Sequence, residues 1–103
     1  MYSKGDIVVI NFPFSDLMSA KKRPMLVLAE KGDDIIGCAI TSSPNSEGVP
    51  IKEFEEGSLA FESKVKYWQI HTFLKELAIK KVATLSKKNQ REVIKKINEL
   101  FIV

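Results

Sequence analysis

"LAIKKVATLSKKNQREVIKKINELFIV", residues 77–103, changes its period halfway along. Up to Leu85 the stretch reads as a short strand of β-formers carrying lysines, a pattern that suits a sheet edge. From Ser86 onward the apolar residues Val93, Ile94, Ile97, Leu100 and Phe101 recur at helical spacing. Ser86 is a natural N-cap, because its hydroxyl can accept from an amide of the first turn. The reading is one amphipathic helix over 87–101. Its apolar stripe faces a sheet, and its polar face (Lys87, Lys88, Arg91, Lys95, Lys96) is solvated.

Everything before this helix reads as strand and turn. "GDIVVINF" (5–12) is β-branched and apolar, and "FPFSDLMSAKK" (12–22) is a loop marked by Pro13, Ser15, Asp16 and Ser19. "PMLVLAE" (24–30) is a second strand with Pro24 at its first position, where a missing N–H costs least. "KGDD" (31–34) is a turn. "IIGCAIT" (35–41) is a third strand whose unbroken apolar character implies burial on both faces. "SSPNSEG" (42–48) is a loop. Residues 49–55 alternate as in an exposed strand, and "ESKVKYWQIHTF" (62–73) mixes β-branched, aromatic and basic residues as a further strand. So many short strands followed by one helix favour a mainly β fold, a small barrel or curled sheet with the helix packed on it.

At 103 residues the chain suits one domain, 1–103, and with 45% apolar residues it can build a core. A net charge of +3 permits a nucleic-acid partner without demanding one. The lone Cys38 excludes an internal disulfide and, within "IIGCAI", reads as a small core residue. No leader sequence and no apolar run of about 18 residues is visible, so a cytoplasmic protein with no membrane partner is expected. One His and one Cys do not make a zinc site, no carboxylates are spaced as metal ligands, and no Gly-rich phosphate loop exists. No metal and no cofactor are expected. The remaining chemistry is cationic and hydroxylic. Arg23 stands at a strand mouth beside Lys21 and Lys22, and Thr41, Ser42 and Ser43 end a strand. Gln69 and His71 lie in another strand. An arginine fork donates two parallel hydrogen bonds to a phosphate and keeps its charge at any working pH. Trp68 reads as core or dimer interface, while Phe12 and Phe14 read as core or as a stacking platform for a base.

In order along the chain, "GDIVVINF", "KRPMLVL", "AITSSP" and "SKVKYWQIHTF" with "KVATLS" resemble the MazF/PemK family, the toxin endoribonucleases of type II toxin–antitoxin pairs. The resemblance implies an SH3-like barrel of the CcdB/MazF/PemK type, with a short helical turn before the last strand. It implies metal-independent cleavage of single-stranded RNA, a homodimer, and an acidic antitoxin as partner. Arg23 and Thr41 match the family's catalytic arginine and threonine. Ser42, His71, Gln69, Lys21 and Lys22 are further candidates for catalysis or RNA binding, and Gln69 and Thr72 match a "Q-I-x-T" element that lines the groove. One departure stands out. Many catalytic members carry an acidic or amide residue shortly before the arginine, whereas "LMSAKKRP" offers only Asp16 nearby. The alternative reading is a non-catalytic family member, or a gyrase-directed toxin of the CcdB type acting by protein binding.

Overall fold

The computed structural model describes residues 1–13 and 20–103. The expected loop signals at Ser15, Asp16 and Ser19 and the proposed platform residue Phe14 lie outside them. Among the described residues seven strands form one antiparallel sheet. They are β1 (Asp6–Pro13), β2 (Ala20–Lys31), β3 (Asp34–Thr41), β4 (Val49–Pro50), β5 (Phe54–Gly57), β6 (Lys64–Leu74) and β7 (Ala78–Leu85). A single 3-10 turn (Lys75–Leu77) precedes β7, and α1 (Lys87–Leu100) closes the chain. No helix among the described residues is long and apolar enough to cross a membrane. The spatial order is β4-β6-β3-β2-β1-β7-β5. A flat sheet of this width would be about 10 Å thick, but the molecule measures 35 × 35 × 32 Å, so the sheet is strongly curled.

The apolar runs are continuous because β1, β2 and β3 are buried on both faces. Ile7, Leu26, Cys38, Ile40, Val65, Leu85 and the helix residue Val93 form one cluster on the helix side. Val8, Ile10, Met25, Val27 and Ile35 form a second cluster on the opposite face, closed by Phe12, Phe73 and Leu77. Cys38 is fully buried, and burial pushes its thiol up to about 11, which suits packing and not reactivity.

Three expectations are corrected. β7 is an edge only in part: β5 pairs with its outer side at Ala83–Leu85, while the stretch carrying Lys80 and Lys81 pairs with β1 alone among the described residues, and Glu56 Oε1 meets Lys81 Nζ at 3.1 Å. Residues 49–55 are not one strand. Pro50 has no amide to donate, and the backbone that follows is engaged by the helix residue Asn89, whose Oδ1 accepts from Lys52 N (2.7 Å) and Glu53 N (3.2 Å). Finally, the helix stripe is only partly covered. Val93 is buried and Ile97 half-buried, but Ile94, Leu100 and Phe101 stay exposed. The N-cap is as expected, with Ser86 Oγ accepting from Asn89 N at 3.1 Å.

The far end of the β2–β3 hairpin turns through Gly32, whose φ of +58° is the left-handed conformation that glycine adopts without strain. Beside this turn, Glu30 accepts from Lys75 Nζ at 2.7 Å and from Tyr2 N at 3.0 Å. The Lys75 hydrogen bond, helped by the Tyr2 amide, holds the Glu30 carboxyl below its ordinary 4.5, and the same carboxylate raises Lys75 above 10.5. The carboxyl's contribution is therefore complete above pH 4.5 and is lost as pH falls through the lowered native value. The contribution of Lys75 is complete below 10.5 and is lost as pH rises through its raised native value. Glu30→Gln should lower the melting temperature at neutral pH, and the difference from wild type should shrink towards zero near about pH 3. Thermal melts at the two pH values check this; a difference that does not change with pH would assign Glu30 a packing role only.

Candidate functional site

Pro24 explains where the site opens. It is the fifth residue of β2, not the first, yet its missing N–H breaks no bond to β3, because the β2–β3 ladder ends one place away at Met25–Ala39. Beyond that point β2 stays paired with β1 as far as Ala20–Pro13, while β3 stays paired with β6 as far as Thr41–Lys64. The two strand pairs part, and a groove lies between them. Counting on from Met25–Ala39 puts Arg23 across from Thr41, one on each bank.

Two cavities share this gap. One, of about 270 Å³, is lined by Arg23, Thr41, Gln69, His71, Lys66 and Phe12, with Pro24, Ala39 and Ile40. The next, of about 610 Å³, again includes Arg23 and Thr41 and adds Lys21, Lys22, Ser42, Ser43 and the segment around Phe61. All seven sequence-predicted site residues thus line one continuous groove. Thr72 does not: it alternates to the exposed opposite side of β6. Lys21 and Lys22, read from the sequence as loop residues, are ladder residues of β2, paired with Phe12 and Asn11.

The side chains are positioned in distinct ways. Thr41 Oγ1 accepts from Ser43 N at 3.1 Å, so its oxygen is fixed by the turn while its own hydrogen can still be donated. His71 is packed among aromatic rings, edge-on to Phe12 (centroids 5.4 Å apart) and stacked on Phe73 (5.6 Å). Phe12 also meets Phe73 edge-on at 4.9 Å. Between Cys38–Ile70 and Ile40–Val65, a step of two residues on β3 matches a step of five on β6. This irregularity carries Lys66 and Gln69 to the groove and leaves Trp68 40% exposed, with Lys66 Nζ 5.9 Å from its ring centre. Trp68 is therefore not a core residue.

Sequence reading missed Lys66. It sits in the alternation "KVKYWQIH", but only the extra residues of β6 bring it beside Gln69, and no local pattern reports a register shift. The electrostatic outcome is one-sided. Lys21, Lys22, Arg23 and Lys66 line the two cavities, and no described lining residue is acidic. An anion with a hydrogen-bonding surface fits such a groove.

Comparison with known proteins places the fold. The fold is similar to that of MazE–MazF from Deinococcus radiodurans, at 18% identity over 96% of this chain and 94% of that one, with a TM-score of 0.76. It is also similar to the Mycobacterium tuberculosis toxin MazF-mt6, at 16% identity over 93% and 95% of the two chains and a TM-score of 0.72. A mycobacterial endoribonuclease in complex with its cognate antitoxin aligns over 100% of both chains at 10% identity and a TM-score of 0.72. No curated protein matches the sequence. Residues 3–101 match the family described as "PemK-like, MazF-like toxin of type II toxin-antitoxin system". The chain belongs to this family of toxins.

Proposed function

We propose that the chain is the toxin of a type II toxin–antitoxin pair and cleaves single-stranded RNA, inhibiting growth by degrading message. The observation that carries this reading is the cationic groove, with no acidic residue among its described lining, in which Arg23 and Thr41 stand on facing banks. The 2′-oxygen of a ribose attacks the adjacent phosphorus as its proton departs. The new O2′–P bond replaces P–O5′, leaving a 2′,3′-cyclic phosphate, and the 5′-oxygen takes up a proton. Arg23 holds the phosphoryl oxygens as their charge grows, and the Thr41 hydroxyl donates to the same group or orients the 2′-OH. His71 is the candidate for proton transfer, and Gln69 and Ser42 supply polar contacts to sugar or base. Lys21, Lys22 and Lys66 attract the backbone without regard to sequence.

The purified chain should cut a long single-stranded RNA with a metal chelator present, and primer extension should show discrete stops. Intact RNA at micromolar protein would overturn the catalytic reading.

Two partners are proposed alongside this activity. An acidic antitoxin segment would fold along the same cationic groove and block it. A second copy of the chain would cover the outward apolar residues of β6, where Trp68, Ile70 and Leu74 are all exposed. A monomer in light scattering would remove the dimer.

A further inference from the structure

A third cavity adjoins the groove and shares Thr41, Ser42 and Ser43 with it, but its far walls take no part in the catalytic reading. Its volume is about 690 Å³, and Phe61 lines both it and the Arg23 cavity. Phe61 is 74% exposed, and no aromatic ring stacks on it among the described residues, so its face is open to the cavity. Its loop is held in shape: Phe61 O accepts from Ser63 Oγ at 2.9 Å.

The chemistry changes across Phe61. On the Arg23 side no described lining residue is acidic. On the far side the walls are Pro44, Pro50 and Ile51, and the carboxylate of Glu62 joins them. Of the two lysines there, Lys64 already donates to the carbonyls of Ser46 (2.8 Å) and Pro44 (3.4 Å), and Lys52 is the other. A phosphate entering this half would meet a carboxylate. A flat, uncharged ring with hydrogen-bonding edges would meet a phenyl face, apolar walls, the hydroxyls of Ser42 and Ser43, and an acceptor for an exocyclic amine.

We infer that this cavity is a nucleobase subsite in which a base flanking the scissile step leaves the strand and stacks on Phe61. The inference rests on the RNA-cleaving reading, since the backbone must run along the cationic half to deliver that base. Phe61 acts through position and specificity, not through the reacting atoms.

The test uses a short, fluorescently labelled single-stranded RNA with fluorine at every 2′ position, so that it cannot be cleaved. Variants of it carry an abasic sugar at each position in turn. For the wild type, one abasic position outside the scissile step should weaken binding about 10-fold. Phe61→Ala should bind the intact strand about 10-fold more weakly and lose its sensitivity to that abasic position, whereas Phe61→Trp, which keeps a stacking face, should retain both affinity and sensitivity. If Phe61→Ala binds the intact strand as tightly as wild type, the subsite is overturned and RNA cleavage stands. If the wild type binds no single strand at all, the subsite and the RNA-cleaving reading fall together.

Discussion

Arg23→Ala is expected to lower the RNA cleavage rate by at least about 10²-fold while leaving the fold intact. The size follows from the role proposed for Arg23, a preorganised donor aimed at a phosphoryl group whose charge grows in the transition state. The preorganisation is visible in the backbone. Arg23 is held in the β1–β2 ladder opposite Ile10, and Pro24 behind it fixes φ and biases Arg23 towards extended geometry. The fold should survive because the arginine side chain is exposed and belongs to neither apolar cluster. Lys21→Ala combined with Lys22→Ala should behave differently. These cations line the wider cavity, so their loss should weaken RNA binding and flatten its dependence on salt, with a much smaller effect on turnover of bound RNA. Single-turnover cleavage by the three proteins, with binding titrated over a salt series, separates the two roles. Wild-type cleavage by Arg23→Ala would return these cations to a solvated strand entry.

The candidate site was legible chiefly through the family resemblance, since its residues are local landmarks. Arg23 directly precedes Pro24, and Thr41 ends an apolar strand. Taken without the resemblance, an arginine and two lysines before an apolar run read equally well as a solvated strand entry. The fold was legible in the residues themselves, since period two gives way once to period 3.6, at Ser86. What could not be read depends on contacts between distant segments. The extra residues in β6 that place Lys66 exist only relative to β3. The lysines of β7 do mark an open margin, but the sequence does not show that β5, only four residues long and charged, covers the strand's other end at Ala83–Leu85. Leu100 and Phe101 continue the helical stripe, yet no described part of the chain covers them, so spacing predicted a burial that the fold does not supply. The exposed Phe61 gave no periodic signal, since it lies in a loop.

Asn89 is the largest omission, and removing it should have the largest effect on stability. In sequence it is a polar residue in the first turn of a lysine-rich helix, a position that reads as solvated. In the structure it is 1% exposed and hydrogen-bonded throughout. Its Oδ1 accepts from Lys52 N and Glu53 N, and its Nδ2 donates to Pro50 O and to Glu92 Oε1, both at 3.0 Å. It can do this because the N-cap amide it would otherwise sit beneath, Ser86 N, donates instead to Glu53 O at 2.9 Å. One side chain thus supplies the strand partners that residues 50–53 lack, and fastens the helix to the stretch that carries Pro50 and Ile51 to the wall of the third cavity. Asn89→Ala leaves several backbone groups unpartnered in a partly buried setting, and the expected loss is about 2–4 kcal/mol. For a domain of this size that is a fall in melting temperature of roughly 10–20 °C. Asn89→Asp discriminates the cause. It keeps the acceptor for the two amides but sets a carboxylate against Pro50 O and Glu92, so it should be destabilised at neutral pH and recover part of the loss in acid, once the new carboxyl protonates and can donate. Chemical denaturation of both variants at two pH values measures this. A loss below about 0.5 kcal/mol in Asn89→Ala, the range of ordinary surface substitutions, would mean that water replaces the amide and that the network does not hold the helix in place.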